Sequence, residues 1–160
     1  MEESKELLTF AAETLFIYLN RKAYEKEKGK KIGKKLLSWE TFHIFAAMKR
    51  RIIAYKNYYK DFFESLDEGT QEKILYGMLL LKTQERLPSK FVKLIRDGLF
   101  ELRIEWQSNI YRIFFCFDEG QLVVLFNCFQ KKSQKTPTKE INKALKLKAE
   151  YEERKKQGDF

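Results

Sequence analysis

Two arginines, Arg103 and Arg112, are the side chains best suited to chemistry on an anionic substrate. They fall in neighbouring segments that alternate apolar and polar residues, and Phe114 shares their face of the expected sheet. Guanidinium forks match phosphate oxygens, and fixed cations stabilise the charge that develops when a 2′-hydroxyl attacks a phosphodiester. Phe114 could stack an unpaired base. The ordinary alternative is a solvated face on which Glu105 and Arg112 form a weak cross-strand ion pair.

A basic run, Lys131-Lys-Ser-Gln-Lys135, follows the last alternating segment. Loops held by a rigid sheet are common positions for functional groups. Adjacent lysines make protonation of one another more costly, so Lys131 or Lys132 is a candidate for proton transfer. The alternative is that both lysines only contact phosphates.

Histidine and cysteine are scarce in this chain. The single histidine, His43, lies among aromatic residues and is interpreted as a packed or surface residue, and Cys116 and Cys128 fit no metal or redox spacing. We therefore expect no metal site and no cofactor, so Lys, Arg or a carboxylate must move the protons. Two isolated thiols indicate a reducing compartment, and we expect a cytoplasmic protein.

The charge balance of the 160-residue chain favours an anionic partner. Lys and Arg total 32 against 23 acidic residues, a net charge of +9, and residues 48–160 carry 23 basic and 16 acidic residues. Nucleic acid and an anionic membrane surface are the expected partner classes, whereas the plain alternative is charge for solubility. No apolar run approaches the roughly 18 residues that a membrane helix needs, so we expect no membrane span.

The N-terminal part of the chain is predicted to be helical. A stripe of apolar residues at helical spacing predicts a helix over 3–27, a lysine- and glycine-rich linker follows at 29–35, and a short second helix is expected over 36–47. The pattern changes at Met48. Residues 1–47 are either an accessory helix pair or an upstream extension of a reading frame that starts at Met48.

The later part of the chain predicts an α+β domain. The expected elements are a strand at 52–55, helices at 57–66 and 70–86, strands at 99–106, 110–117 and 122–128, and a helix from the N-cap Thr136 to about Lys156. Residues 89–98 are a basic connector with no assigned structure. Two-residue turns at Ser108-Asn109 and Glu119-Gly120 would place Arg112 opposite Glu105 and Asn127. The helix-packed face would then hold Leu102, Ile104, Trp106, Tyr111, Ile113, Phe115, Phe117, Val124 and Phe126, and the open face Glu101, Arg103, Glu105, Arg112, Phe114 and Asn127.

Four segments of the chain resemble phage-type HigB proteins of the RelE toxin superfamily, over most of residues 48–160. They are Met48-Lys-Arg-Arg-Ile-Ile-Ala-Tyr55, Gly98-Leu-Phe-Glu-Leu-Arg103, Ile110-Tyr-Arg-Ile-Phe-Phe115 and Phe129-Gln-Lys-Lys-Ser-Gln-Lys-Thr-Pro137. The resemblance implies a compact antiparallel sheet packed by two N-terminal helices and a C-terminal helix. Residues 1–47 would be an additional helical extension.

The resemblance also implies a function. Toxins of this kind enter the ribosomal A site and cut messenger RNA by 2′-hydroxyl attack without a metal, and a helix-turn-helix antitoxin of the HigA type silences them. By position, the resemblance assigns catalysis to Arg103, Arg112, Lys131 and Lys132. RNA binding is assigned to Lys90, Lys93, Phe114 and Lys135. Because Arg112 is expected on the open face, its replacement by alanine is expected to remove toxicity with little loss of fold.

The chain departs from this family in its proton-transfer groups. Several relatives use a C-terminal tyrosine or a histidine near the scissile phosphate, and Tyr151 lies too far along the last helix to match. The general acid and base are therefore unassigned. Two other functions stay open: a non-catalytic module that binds RNA or the ribosome, and a partner protein whose basic face meets an acidic antitoxin.

Overall fold

The computed structural model describes residues 50–119, 121–132 and 135–159. The elements are β1 (Arg51–Ala54), α1 (Tyr58–Glu64), α2 (Glu68–Thr83), β2 (Val92–Arg96), β3 (Leu99–Trp106), β4 (Asn109–Asp118), β5 (Leu122–Lys131) and α3 (Thr138–Lys156). The predicted helices at 3–27 and 36–47, His43 and the alternative start at Met48 lie outside the described residues.

A five-stranded sheet in the order β1-β5-β4-β3-β2 organises the fold. Strands β2 to β5 pair antiparallel, whereas β1 runs parallel to β5, with Ile52 opposite Val123. The predicted α+β class is confirmed, as are the bounds of β3. The short parallel edge strand makes the sheet mixed instead of purely antiparallel.

Helices α1 and α2 cover one face of the sheet. Ile74, Met78 and Leu81 of α2 lie at helical spacing and are buried against the apolar side chains of β3, β4 and β5. The two surfaces approach closely at Gly77, where an added Cβ would lie 2.9 Å from Cδ1 of Ile104. Helix α2 begins at the N-cap Asp67, whose carboxylate accepts the backbone N–H of Thr70 at 3.0 Å.

Helix α3 covers much of the other face, which the sequence led us to expect to be open. Ala144, Leu147 and Tyr151 of α3 pack with buried side chains from three strands and from the residue after β1, namely Leu99, Phe114, Cys116, Val124, Phe126 and Tyr55. The prediction of an open face is therefore wrong over this area. Beyond it, towards the β3–β4 turn, the same face becomes accessible: Arg103 is partly exposed and Glu105 is exposed.

Polar contacts fix the C-terminal end of α3 to the end of β4. The hydroxyl of Tyr151 donates to Asp118 Oδ2 at 2.5 Å, and Lys155 Nζ lies 2.8 Å from Asp118 Oδ1. Burial alone would raise the pKa of Asp118, but these donors outweigh it and the pKa lies below its ordinary value. Asp118 therefore stabilises the docked position of α3 when its carboxylate is charged.

The β3–β4 turn lies one residue earlier than predicted. Gln107 and Ser108 form it with φ angles of 48° and 64°, as expected of a tight hairpin turn. Arg103 is therefore opposite Arg112, and Glu105 is opposite Ile110. The predicted opposition of Glu105 and Arg112 is wrong, although the shift of two positions keeps each residue on its assigned face.

The β4–β5 register also differs from the prediction. Asp118 is opposite Leu122, so three residues instead of two separate the strands, and an irregularity between Ile113 and Phe115 shifts the register again. As a result Val123 and Leu125 face α1 and α2, whereas Val124 and Phe126 face α3. Arg112 is opposite Phe129 and not Asn127.

Strand β2 lies within residues 89–98, the basic connector for which the sequence predicted no structure. It pairs with β3, with Val92 opposite Leu102 and Lys93 opposite Glu101. Asp97 and Gly98 form the turn between the strands, with φ angles of 51° and 70°. Asp-Gly is a strong hairpin signal, and it was the feature from which this strand could have been predicted.

Candidate functional site

The candidate site is centred on a carboxylate between two arginines. Glu101 and Arg103 lie two residues apart on β3 and so share a face, and Arg112 of β4 is opposite Arg103. Oε1 of Glu101 lies 3.1 Å from Nε of Arg103 and 2.8 Å from Nε of Arg112. We call these three residues the arginine–glutamate cluster.

Arg112 is the buried cation of this cluster. Its side chain is 3% exposed, and Nη1 donates to the backbone carbonyl of Tyr111 at 3.0 Å. The Nε–H is not aligned with Oε1 of Glu101, so that contact is an ion pair more than a hydrogen bond. Burial lowers the pKa of Arg112, and the charge of Glu101 opposes this effect. The expectation that Arg112 lies on an open face is therefore wrong.

Arg103 is the accessible cation. Its side chain is 29% exposed, its Nε donates to Glu101, and its Nη1 reaches to 3.5 Å from the carbonyl of Ser89. The cluster contains two guanidinium groups and one carboxylate, so it carries one uncompensated positive charge. That excess suits a single phosphate anion approaching from the side of Arg103.

Thr136 connects the cluster to the segment between β5 and α3. Its hydroxyl donates to Oε2 of Glu101 at 3.1 Å. The sequence led us to expect Thr136 as the N-cap of the last helix, but the N-cap is Pro137 and no side chain caps it. The Thr136 hydroxyl therefore makes a tertiary contact with the buried carboxylate of β3 instead of capping the helix.

A second tie holds the start of α3 close to the same place. Asn127 of β5 is buried, and its Nδ2 donates to Oε2 of Glu140 at 2.9 Å and to the carbonyl of Glu140 at 3.3 Å. Glu140 lies in the first turn of α3. The start of α3 is therefore positioned by polar contacts with the strand that leads to the basic run.

The predicted lysines flank the cluster on two sides. Lys93 of β2 is exposed and opposite Glu101, and Lys90 is exposed with Nζ 4.9 Å from the ring centre of Phe91. On the other side Lys131 ends β5 opposite Ile110, and Lys132 is exposed. Lys135 is exposed next to Thr136. We call these five lysines the basic rim.

Phe114 does not belong to the accessible site. It is fully buried beneath α3, and its ring centre lies 5.7 Å from that of Phe129. A ring in this environment cannot stack a base, so the prediction that Phe114 binds RNA is wrong. Glu101 and Thr136 were missed as site residues. Glu101 was placed on the arginine face by alternation, and a carboxylate in register with two arginines was the available signal.

Two structural findings bear on the chemistry. In the part of the chain that the structure describes, no three His, Cys, Asp or Glu side chains are grouped so that they could hold a metal ion. Within the same residues, no helix is long and apolar enough to cross a membrane.

The sheet with two helices on one face and one on the other is consistent with a RelE-like fold. The family described as Phage derived protein Gp49-like (DUF891) matches residues 61–149, more than half of the chain. The chain therefore belongs to this family, which is a family of RelE/HigB-like toxins. A search of curated proteins gave no match. The matched residues include the whole arginine–glutamate cluster and both sides of the basic rim.

Proposed function

We propose that this protein is the toxin of a type II toxin–antitoxin module, of the phage-type HigB branch, and that it cuts messenger RNA in the ribosomal A site. The observation that carries the proposal is the position of Arg103. It is the accessible member of a cluster with one excess positive charge, and it lies at the uncovered end of a sheet face flanked by lysines. A single RNA phosphate carries one negative charge and two non-bridging oxygens, which a planar guanidinium can bind with two parallel hydrogen bonds.

In this proposal Arg103 contacts the non-bridging oxygens of the scissile phosphate. The 2′-hydroxyl of the preceding nucleotide attacks phosphorus, the bond to the 5′-oxygen breaks, and the products are a 2′,3′-cyclic phosphate and a 5′-hydroxyl. Arg103 stabilises the charge that develops on phosphorus-bound oxygens, a contribution of about 10²–10³ in rate for a well-placed donor. Because the side chain of Arg112 is buried, Arg112 does not contact RNA in this proposal and contributes through its ion pair with Glu101.

The basic rim has two proposed roles. Lys90, Lys93 and Lys135 are exposed and would bind backbone phosphates around the cut. Lys131 and Lys132 either bind phosphates or transfer a proton, as a lysine can do and an arginine cannot at neutral pH. No metal or cofactor is part of the proposed mechanism.

The ribosome supplies the positioning that this site lacks. The only histidine of the chain is His43, outside the described residues, and the accessible groups around Arg103 are the lysines of the basic rim and the carboxylate of Glu105. A ribosome that holds the message in one geometry reduces the entropic cost of in-line attack. We therefore propose that cleavage requires a ribosome and that the toxin acts in the cytoplasm.

The test is to induce the full chain in a bacterium and to map the 5′ ends of messenger RNA. Cuts in phase with codons support the endonuclease. Growth arrest without cuts would point instead to a non-catalytic ribosome-binding module. If neither growth nor the messenger RNAs change, the protein is one that only binds an antitoxin.

Matched variants sharpen this test. Arg103→Ala should abolish the cuts, whereas Arg51→Ala should not, because exposed Arg51 lies on β1 at the opposite edge of the sheet from β2. We also propose a helix-turn-helix antitoxin of the HigA type as the partner. Co-expression of the adjacent open reading frame should restore growth, and unrelieved arrest would argue against that partner.

A further inference from the structure

Glu101 is a buried carboxylate in a place where alternation predicts an exposed residue. It is 1% exposed. Taking a carboxylate out of water costs several kcal/mol unless cations and hydrogen-bond donors surround it, so its partners show what holds it there. Oε1 lies against the Nε atoms of Arg103 and Arg112, and Oε2 accepts the hydroxyl of Thr136.

These contacts join three separate segments at one side chain. Arg103 is on β3 with Glu101, Arg112 is on β4, and Thr136 is in the connection that follows the basic run. Without the carboxylate, two guanidinium groups would face each other on opposed strands, one of them buried. Like charges on opposed positions repel, and the accessible Arg103 is the one that can move away.

We propose that Glu101 is a positioning residue for the cleavage reaction. It fixes the guanidinium of Arg103 by an ion pair at Nε, and the hydroxyl of Thr136 holds Glu101 in the orientation that makes this ion pair. It does not touch RNA. The proposal rests on the function proposed above, and it adds that the geometry of the accessible arginine is set by one carboxylate.

The first experiment compares Glu101→Gln with Glu105→Gln in the full chain. Both changes remove one negative charge from the same face of β3, but Glu105 is exposed and opposite Ile110. Single-turnover cleavage of ribosome-bound message should fall about 10²-fold for Glu101→Gln, as for a catalytic group displaced by about 1 Å. Ribosome affinity should stay within about twofold, since the exposed cations that bind phosphate are retained. Cleavage by Glu101→Gln within threefold of wild type would overturn the proposal.

A double-mutant cycle separates positioning from stability. In an Arg103→Ala background, Glu101→Gln should cause no further loss of rate, because the group that it positions is absent. Losses that add would show that Glu101 acts independently of Arg103 and would contradict the proposal. Thr136→Val removes only the contact at Oε2, and it should slow cleavage about tenfold with a fall in melting temperature of about 4 °C, as for the loss of one hydrogen bond. This variant carries the test if Glu101→Gln is too unstable to assay.

A spectroscopic readout does not depend on activity. The Nε–H resonance of Arg103, assigned by loss in Arg103→Ala, should move to the position of a solvated arginine in Glu101→Gln and stay in place in Glu105→Gln. An unchanged resonance in Glu101→Gln would overturn the positioning role even if cleavage fell. Absence of cleavage by the wild-type protein with ribosomes would instead overturn the proposed function, so the two failures are distinguishable.

Discussion

Replacing Arg112 or Arg103 with alanine should separate the structural and chemical contributions of the arginine–glutamate cluster. The two residues are opposite each other and share one oxygen of Glu101, but their side chains are 3% and 29% exposed. Arg112→Ala leaves a buried carboxylate with one partly exposed cation. Arg103→Ala leaves the buried pair intact and removes the cation that solvent and substrate can reach.

The expected cost of Arg112→Ala follows from this burial. Removing one partner of a buried ion pair costs about 3–5 kcal/mol. Arg103 and the hydroxyl of Thr136 still contact Glu101, so we take the lower value of about 3 kcal/mol. At about 4 °C per kcal/mol for a chain of this size, the melting temperature should fall by about 12 °C. Arg103→Ala should cost about 0–1 kcal/mol, as partly exposed pairs do, and shift it by less than about 4 °C.

The assay combines thermal unfolding by circular dichroism with cleavage of ribosome-bound message at a temperature where both variants are folded. Arg103→Ala should lose about 10²–10³ in single-turnover rate while remaining stable. Arg112→Ala should lose stability first, and its residual activity should depend on temperature. Equal melting of Arg112→Ala and wild type, or equal destabilisation by both variants, would refute the assignment of one buried and one accessible arginine.

Three further predictions concern other parts of the domain. Because the pKa of Asp118 lies below its ordinary value of 3.8, its contacts contribute stability that is complete above that pH and is lost as the pH falls below it. Between pH 7 and pH 3, the free energy of unfolding measured by urea titration should therefore fall less for Asp118→Asn than for wild type. An equal fall for the two proteins would contradict this. Burial raises the pKa of the Cys116 thiol to about 11 and also raises that of Cys128, so native protein should react slowly with thiol reagents at pH 8 and rapidly in urea. Fast native labelling would show that the sheet opens there. Lys131→Arg and Lys132→Arg should both cleave normally if these lysines only bind phosphate, whereas loss of single-turnover cleavage with normal ribosome affinity in one of them would identify a proton-transfer residue.

Local patterns were sufficient to predict most of the fold. The alternation of Phe100, Leu102, Ile104 and Trp106 gave the bounds of β3, and the apolar stripe of α2 predicted the helix that covers them. β2 was missed because its residues, Val92–Arg96, are mostly exposed or half-buried and do not alternate. The errors in the β3–β4 and β4–β5 registers arose at the turns. One residue more or less in a turn changes which side chains are opposite each other, and the apolar–polar alternation of the strands does not fix the length of the turn.

The site was only partly predictable for a different reason. Arg103 and Arg112 were identified by residue type and by resemblance, and the structure places them opposite each other. Which of them solvent reaches depends on how α3 lies across the sheet, and this is set by contacts such as Tyr151 with Asp118 that are distant in sequence. The role of Thr136 was misjudged because a local capping pattern and a tertiary hydrogen bond compete for the same hydroxyl.

Cleavage of a defined message by purified protein, with and without ribosomes, is the decisive measurement for the proposed ribosome-dependent endonuclease. The reaction contains translating ribosomes and is run with and without the added protein. Two products are measured: a new 5′ end at the A-site codon, and a 2′,3′-cyclic phosphate on the upstream fragment. We expect both products with ribosomes, little cutting of the same RNA in ribosome-free buffer with chelator, and loss of both products in Arg103→Ala. Efficient cutting of naked RNA, or undiminished A-site cutting by Arg103→Ala, would contradict the proposal.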